Sequence, residues 1–120
     1  MKLRQIRNDP GELAALAGLV AGVLGAETQR FGGTGPNAHV TPETIAARLD
    51  RGPGWLVEAG ATPVACVFAH AARDWPGALF LEALCVVPEV RRRGLACRLE
   101  AAVEAEARRR GYLTLALEVA

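Results

Sequence analysis

Val86-Val87-Pro88-Glu89-Val90-Arg91-Arg92-Arg93-Gly94-Leu95-Ala96 joins the most strand-like run of the chain, Leu79 to Val87, to an amphipathic helix, Gly94 to Arg110. Pro88 closes the strand because it has no N–H to give to a ladder. The helix carries Leu95, Leu99, Ala102 and Val103 on one face and ends at Gly111. The first amides of such a helix have no intrahelical partner, so together with the helix dipole they can hold an anion. Gly94 lets the backbone approach a phosphate closely, Ala96 keeps the next approach position small, and the arginines add positive charge. In physical terms the turn is a pyrophosphate cradle. No Gly-Lys-Ser/Thr follows, so it is not a nucleoside triphosphate loop, and two of the three glycines of a dinucleotide fingerprint are missing.

Outward from this turn, the alternation of Lys2 to Arg7 predicts a short first strand. Asn8 or Asp9 then caps a helix starting at Pro10, with Leu13, Leu16, Ala17, Val20, Val23 and Leu24 on one face. Phe31 to Asn37 is too rich in glycine for a regular element and is expected to be a substrate loop. Thr41, Pro42 and Glu43 start a second helix that runs through Arg51. Trp55 to Ala59 and Pro63 to His70 are spaced as a hairpin, Arg73 to Gly77 forms the next turn, and Tyr112 to Val119 is a last strand. The order is β-α-α-β-β-β-α-β. It predicts an α/β (α+β) mixed central sheet flanked by helices, in which the long helix links two parallel strands by a crossover.

With 120 residues, 51% of them hydrophobic, the chain fits one domain over residues 1–120. A formal net charge of +1 gives no general attraction to nucleic acid or a membrane surface. No apolar stretch approaches the roughly 20 residues of a spanning helix. The N-terminus lacks the pattern of an export signal, which leads to the expectation of a cytoplasmic protein. Cys66, Cys85 and Cys97 are odd in number and not at C-x-x-C spacing, and His39 and His70 have no ligand partner nearby, so neither a disulfide framework nor a metal site is expected.

Arg91, Gly94 and Ala96, as R-x-x-G-x-A after a strand ending in V-x-P, resemble the acetyl-CoA motif of the GNAT superfamily of N-acyltransferases. Leu79 to Ala120 resembles the central strand, helix and following strand of that family without a gap. The resemblance implies acetyl-CoA as cosubstrate and a strand that splays from its neighbour, so that its backbone pairs with the pantetheine arm as an added strand would. Leu84, Cys85 and Val86 match those positions. The Val86 amide would polarise the thioester carbonyl, and Arg92, Arg93, Gly94, Leu95, Ala96 and Cys97 would wrap the pyrophosphate beside Arg91. Members usually continue past the last strand with a helix whose tyrosine protonates the departing thiolate. Here Ala120 is the last residue, so a C-terminally truncated version is expected, with an open sheet edge that favours a homodimer.

Acyl transfer to an amine requires a base near the thioester. Glu118, in L-A-L-E-V, resembles the glutamate of ribosomal-protein N-terminal acetyltransferases. Glu82, in Phe80-Leu81-Glu82, resembles the F-L-E of aminoglycoside enzymes. By simple alternation it shares a face with Phe80, Leu84 and Val86. Its alternative role is a salt bridge to an arginine, and Glu58 is a third acid on a strand. The implied function is acetylation of a primary amine, aminoglycoside-like or a peptide N-terminus, by direct attack, with Cys85 lacking a placed base for a covalent route. The alternative is an inactive acyl-CoA-binding or dimerisation module. Two arginine clusters, Arg91 to Arg93 and Arg108 to Arg110, lack the aromatic neighbours of a nucleic-acid surface.

Overall fold

Asp9 accepts from the Gly11 amide at 3.1 Å and Pro10 occupies the first helical position, so the chain turns out of its first strand at once into a helix. The computed structural model describes residues 1–25 and 39–117. Its elements are β1 (Lys2–Gln5), α1 (Pro10–Val20), α2 (Pro42–Arg51), β2 (Gly54–Ala59), β3 (Thr62–Ala71), β4 (Ala78–Val86), α3 (Leu95–Arg110) and β5 (Thr114–Leu117). Two irregular turns join this framework: a π-helical turn, Ala21–Gly25, extends α1, and a 3-10 turn, Pro88–Val90, follows β4. The expected order of strands and helices is the observed one.

Thr41 and Thr44 cap the start of α2 reciprocally, each side chain taking the other's amide at 3.2 and 3.0 Å. At the end of α2 the chain passes so close to β3 that a Cβ on Gly52 would lie 2.1 Å from the Ala69 carbonyl oxygen. Only glycine allows that approach. Gly54 then enters β2.

The five strands lie in the order β1-β2-β3-β4-β5, antiparallel throughout except for the β4–β5 pair, which is parallel. The α3 crossover is what permits parallel pairing. Helices cover both faces, which explains the nearly unbroken apolar runs of β2 and β3. Trp55, Val57, Ala65, Val67, Leu79 and Leu81 meet Leu95, Leu99 and Val103 of α3. Leu56, Cys66, Phe68 and Cys85 meet Leu13, Leu16 and Val20 of α1 and Ile45 of α2.

The last strand is shorter at its start than its leucine spacing suggests. It begins at Thr114, and Leu113, before it, is 90% exposed. The Leu113 and Thr114 amides both go to the Gly77 carbonyl, at 2.8 and 3.3 Å, so the backbone bond that starts the pairing sets the boundary and leaves the Leu113 side chain outside. The expected loop Phe31 to Asn37 and the end of the last strand lie outside the described residues.

Candidate active site

The registers of β3 against β4 contain an irregularity that locates the site. Ala65 faces Val86 and Cys66 faces Cys85, but Phe68 faces Glu82 and Ala69 faces Leu81. Val67 is therefore opposed by two residues, Ala83 and Leu84, and Ala83 has φ +54°. This is a β-bulge. It inserts one residue, kinks the strand and reverses the inside–outside alternation beyond it. Cys66 supports the bulge from the core, its thiol donating to the Ala83 carbonyl at 3.8 Å and standing 3.5 Å from Cys85 Sγ. Both thiols are free. The hydrogen bond shared with Cys85, followed by burial, pushes the Cys66 thiol up from its usual range.

The bulge corrects the expected grouping of Glu82 with Leu84 and Val86. Phe80 and Glu82 lie on the α1/α2 face, across from His70 and Phe68, whereas Leu84 and Val86 pack against the α3 core. Period-two counting fails here because Ala83 adds a residue between them.

Beyond the bulge, β4 turns peptide groups outward. Val87 gives its amide to Val64 of β3 at 2.9 Å. Because N–H directions alternate along a strand, the Val86 amide points away from β3, toward the side on which β5 lies. The described pairing with β5 covers only Ala78 to Leu81. A cavity of about 480 Å³ opens along this stretch. Leu84, Cys85 and Val86 form one wall, Arg91, Arg92, Gly94, Leu95, Ala96 and Cys97 form another, and Val23, Leu24 and Val90 complete it.

The turn leading into α3 leaves the first amides of the helix without a side-chain cap. Arg92 and Gly94 both adopt left-handed conformations, with φ +66° and +73°. Gly94 precedes the helix without a side-chain cap, and the first helical bond runs from the Arg98 amide to the Gly94 carbonyl at 3.0 Å. Among the described backbone bonds, none uses the amides of Arg92 through Cys97. A Cβ added to Gly94 would meet no atom within 4 Å, so the space beside it is open to a ligand. These unused amides and the open space fit the diphosphate of coenzyme A. Arg91 is fixed by its own strand, its Nε donating to the Val86 carbonyl at 3.1 Å. Arg93 is exposed in the same turn and does not line the cavity.

Of the expected bases, Glu118 lies outside the described residues. Glu82 is held among three basic side chains: Arg51 Nη2 at 2.9 Å, Arg48 Nη1 at 3.6 Å and His70 Nε2 at 3.7 Å. The alternative role, an arginine salt bridge, is present. Glu58 pairs with Arg4 at 3.3 Å. Arg4 also pairs with Glu12, and chiefly this hydrogen bond holds the Glu12 carboxyl below its usual range.

Sequence reasoning missed two parts of this region. Val23 and Leu24 reach the cavity only because the π turn re-aims the end of α1, and nothing in local spacing marks a π turn. The arginines around Glu82 had a weak signal, since Arg48 and Arg51 stand three apart in the last turn of α2.

The comparisons with known proteins agree with this geometry. The model of the acetyltransferase (GNAT) family matches residues 20–120. No curated protein matches the sequence. Among solved structures, a GNAT family acetyltransferase from Staphylococcus aureus shares 18% identity at a TM-score of 0.74, the similarity covering 100% of both chains. An aminoglycoside 6′-N-acetyltransferase complexed with coenzyme A has 19% identity and a TM-score of 0.76 over 98% of this chain and 61% of its own. The ribosomal-protein-S18-alanine N-acetyltransferase from Escherichia coli has 18% identity and a TM-score of 0.69, covering 98% and 67%. At such identities the structures share the fold, while the family model spans most of the sequence. With its bulged β4, its uncapped turn into α3 and its parallel β4–β5 pair, the chain belongs to the GNAT family of acetyltransferases.

Proposed function

We propose that the protein is an N-acetyltransferase that moves the acetyl group of acetyl-CoA to a primary amine by direct attack. The observation that carries this reading is the continuous cavity from the bulge at Ala83 and Leu84 to the unused amides at the start of α3. Along it, amides of residues 92 to 97 receive the diphosphate, and β4 from Leu84 to Val86 pairs with the pantetheine arm. The outward Val86 amide donates to the thioester carbonyl oxygen, where negative charge develops during attack. The incoming ammonium must first lose a proton; Glu118, through water, is the proposed base and Glu82 the second candidate. Amines of the aminoglycoside type and peptide N-termini are the two acceptor classes suggested by the sequence.

β5 is an edge strand of the described sheet, and the exposed Leu113 immediately precedes it. We propose that this edge supports a homodimer, to be read by light scattering at micromolar concentration, where a monomer counts against it.

The test of the enzyme reading is a pair of measurements on the intact protein. Calorimetry should show acetyl-CoA binding, and a thiol-release assay should show coenzyme A appearing only when an amine is added. Binding without thiol release across a broad amine panel would make the protein an acyl-CoA-binding module instead. Absence of binding would remove both readings.

A further inference from the structure

Two thiols meet beside the bulge of β4. Cys66 and Cys85 are opposite each other in the antiparallel register, both are free, and their Sγ atoms stand 3.5 Å apart. A bond between them requires the two sulfurs to close by roughly 1.5 Å. They differ in access. Cys66 is fully buried and lines neither described cavity, and its hydrogen bond with Cys85, followed by burial, holds its thiol above the usual range. Cys85 is only 4% exposed, yet between Leu84 and Val86 it forms part of the wall of the 480 Å³ cavity. A reagent in that cavity meets Cys85 first, with Cys66 directly behind it.

We propose that Cys85 and Cys66 form a thiol–disulfide exchange site entered through this cavity, with a low-molecular-weight disulfide as its oxidant. The effect on acetyl-CoA rests on the N-acetyltransferase reading, whereas the exchange itself needs only the cavity and the two thiols. Cys85 loses its proton to water and its sulfur attacks one sulfur of the oxidant R–S–S–R. A Cys85–S–S–R bond forms, and R–S⁻ leaves and takes up a proton. Cys66 then loses its proton and attacks Cys85 Sγ, displacing the second R–S⁻, which is protonated in turn. Two thiols have become one disulfide, and the oxidant has been reduced to two RSH.

The exchange also reaches the bulge. Oxidised Cys66 has no hydrogen left to give to the Ala83 carbonyl, so the bulge loses the donor that supports it from the core. Oxidation should therefore weaken acetyl-CoA binding, and by reciprocity bound acetyl-CoA should slow oxidation. Cys97 serves as an internal control. It is exposed and lines the same cavity but makes no thiol contact among the described residues, so its reaction should stop at the mixed disulfide.

The experiment treats the reduced full chain with glutathione disulfide or coenzyme A disulfide, blocks the remaining thiols at intervals and maps tryptic peptides without reduction. Trypsin cuts at Arg73, between the two cysteines, so a Cys66–Cys85 bond appears as a linked pair of peptides. The expected result is that linked pair, formed roughly ten-fold more slowly when acetyl-CoA saturates the protein. Within Cys97→Ser, where no mixed disulfide forms at that position, oxidation should weaken the calorimetric Kd for acetyl-CoA about ten-fold, and reduction should restore it. Cys66→Ser should keep half of the reagent on Cys85, and Cys85→Ser should leave Cys66 unmodified. The faster of the two reagents tells whether the cavity favours the coenzyme's own disulfide or admits any small one. Cys85 left unmodified while Cys97 reacts, or a mixed disulfide on Cys85 that persists beside an intact Cys66, overturns the proposal. A linked pair formed at an unchanged rate with acetyl-CoA bound overturns entry through this cavity. A linked pair in a protein whose reduced form binds no acetyl-CoA upholds the exchange site and overturns the coenzyme reading instead.

Discussion

Arg91 Nε donates to the carbonyl of Val86 at 3.1 Å, tying the turn before α3 to the strand that leads into it. The two halves of the proposed coenzyme site are thus held in register by a side chain that sequence reasoning assigned to the phosphates. Arg91→Ala should weaken acetyl-CoA binding about ten-fold by loosening the turn as well as removing charge, with a smaller effect on thermal stability because the residue is exposed. Calorimetric Kd and Tm of the same variant check both parts.

Gly94 has φ +73° and open space beside its α-carbon. Gly94→Ala should cost roughly 1 kcal/mol of stability from the left-handed backbone, and weaken cosubstrate binding. Gly94→Glu, which places a negative charge among the amides of residues 92 to 97, should abolish binding. Unaltered Kd in a folded Gly94→Glu variant would move the diphosphate elsewhere.

The two proposed roles for acids separate by kinetics. Glu118→Gln should lower kcat by about 10²-fold or more with little change in acetyl-CoA affinity, as expected for loss of a general base. Glu82→Gln should lower Tm as well, because the buried Arg48 loses a charged partner, and should raise KM for the amine more than it lowers kcat. A full rate in Glu118→Gln would transfer the base role to Glu82.

Cys66 fills the core beneath the bulge and donates to the Ala83 carbonyl. Cys66→Val removes that donor and adds a methyl group to a fully buried position. It should cost about 1 kcal/mol and weaken acetyl-CoA binding if the bulge relaxes, whereas Cys66→Ser should retain more of the geometry. Thermal melts and calorimetry on the two variants give the comparison.

Acid should loosen the N-terminal corner, where Arg4 joins Glu12 to Glu58 and Glu12 also accepts from the Arg7 amide at 2.5 Å. The Glu12 carboxyl is held below its usual 4.5, first by the Arg4 hydrogen bond. Its stabilising contribution is therefore complete above that ordinary value and is lost as the pH falls through the lowered one. Glu12→Gln should cost about 1 kcal/mol at pH 7 and less as the solution is acidified, so the Tm difference between the two proteins should shrink with falling pH.

The sequence by itself determined the parts governed by short-range chemistry. Asp9-Pro10 and Thr41-Pro42 start their helices through local caps, Gly111 ends α3 in a left-handed conformation, and the apolar runs from Gly54 to Val86 form the strands expected of them. The turn from Pro88 to Ala96 was legible for the same reason: a strand, a proline stop and an uncapped helix start dictate where unused amides will lie. Tertiary structure decided what depends on pairing across the sheet. The bulge at Ala83 exists only in the register of β4 against β3, and it moves Glu82 to the α1/α2 face, away from Leu84 and Val86. The gathering of Arg48, Arg51 and His70 around that carboxylate joins residues up to 34 positions apart, and the approach of Val23 and Leu24 to the cavity beside β4 depends on the π turn that ends α1. Local patterns carry the first kind of information because it resides in neighbouring dihedrals and hydrogen bonds; the second arises only when distant surfaces compete to be buried.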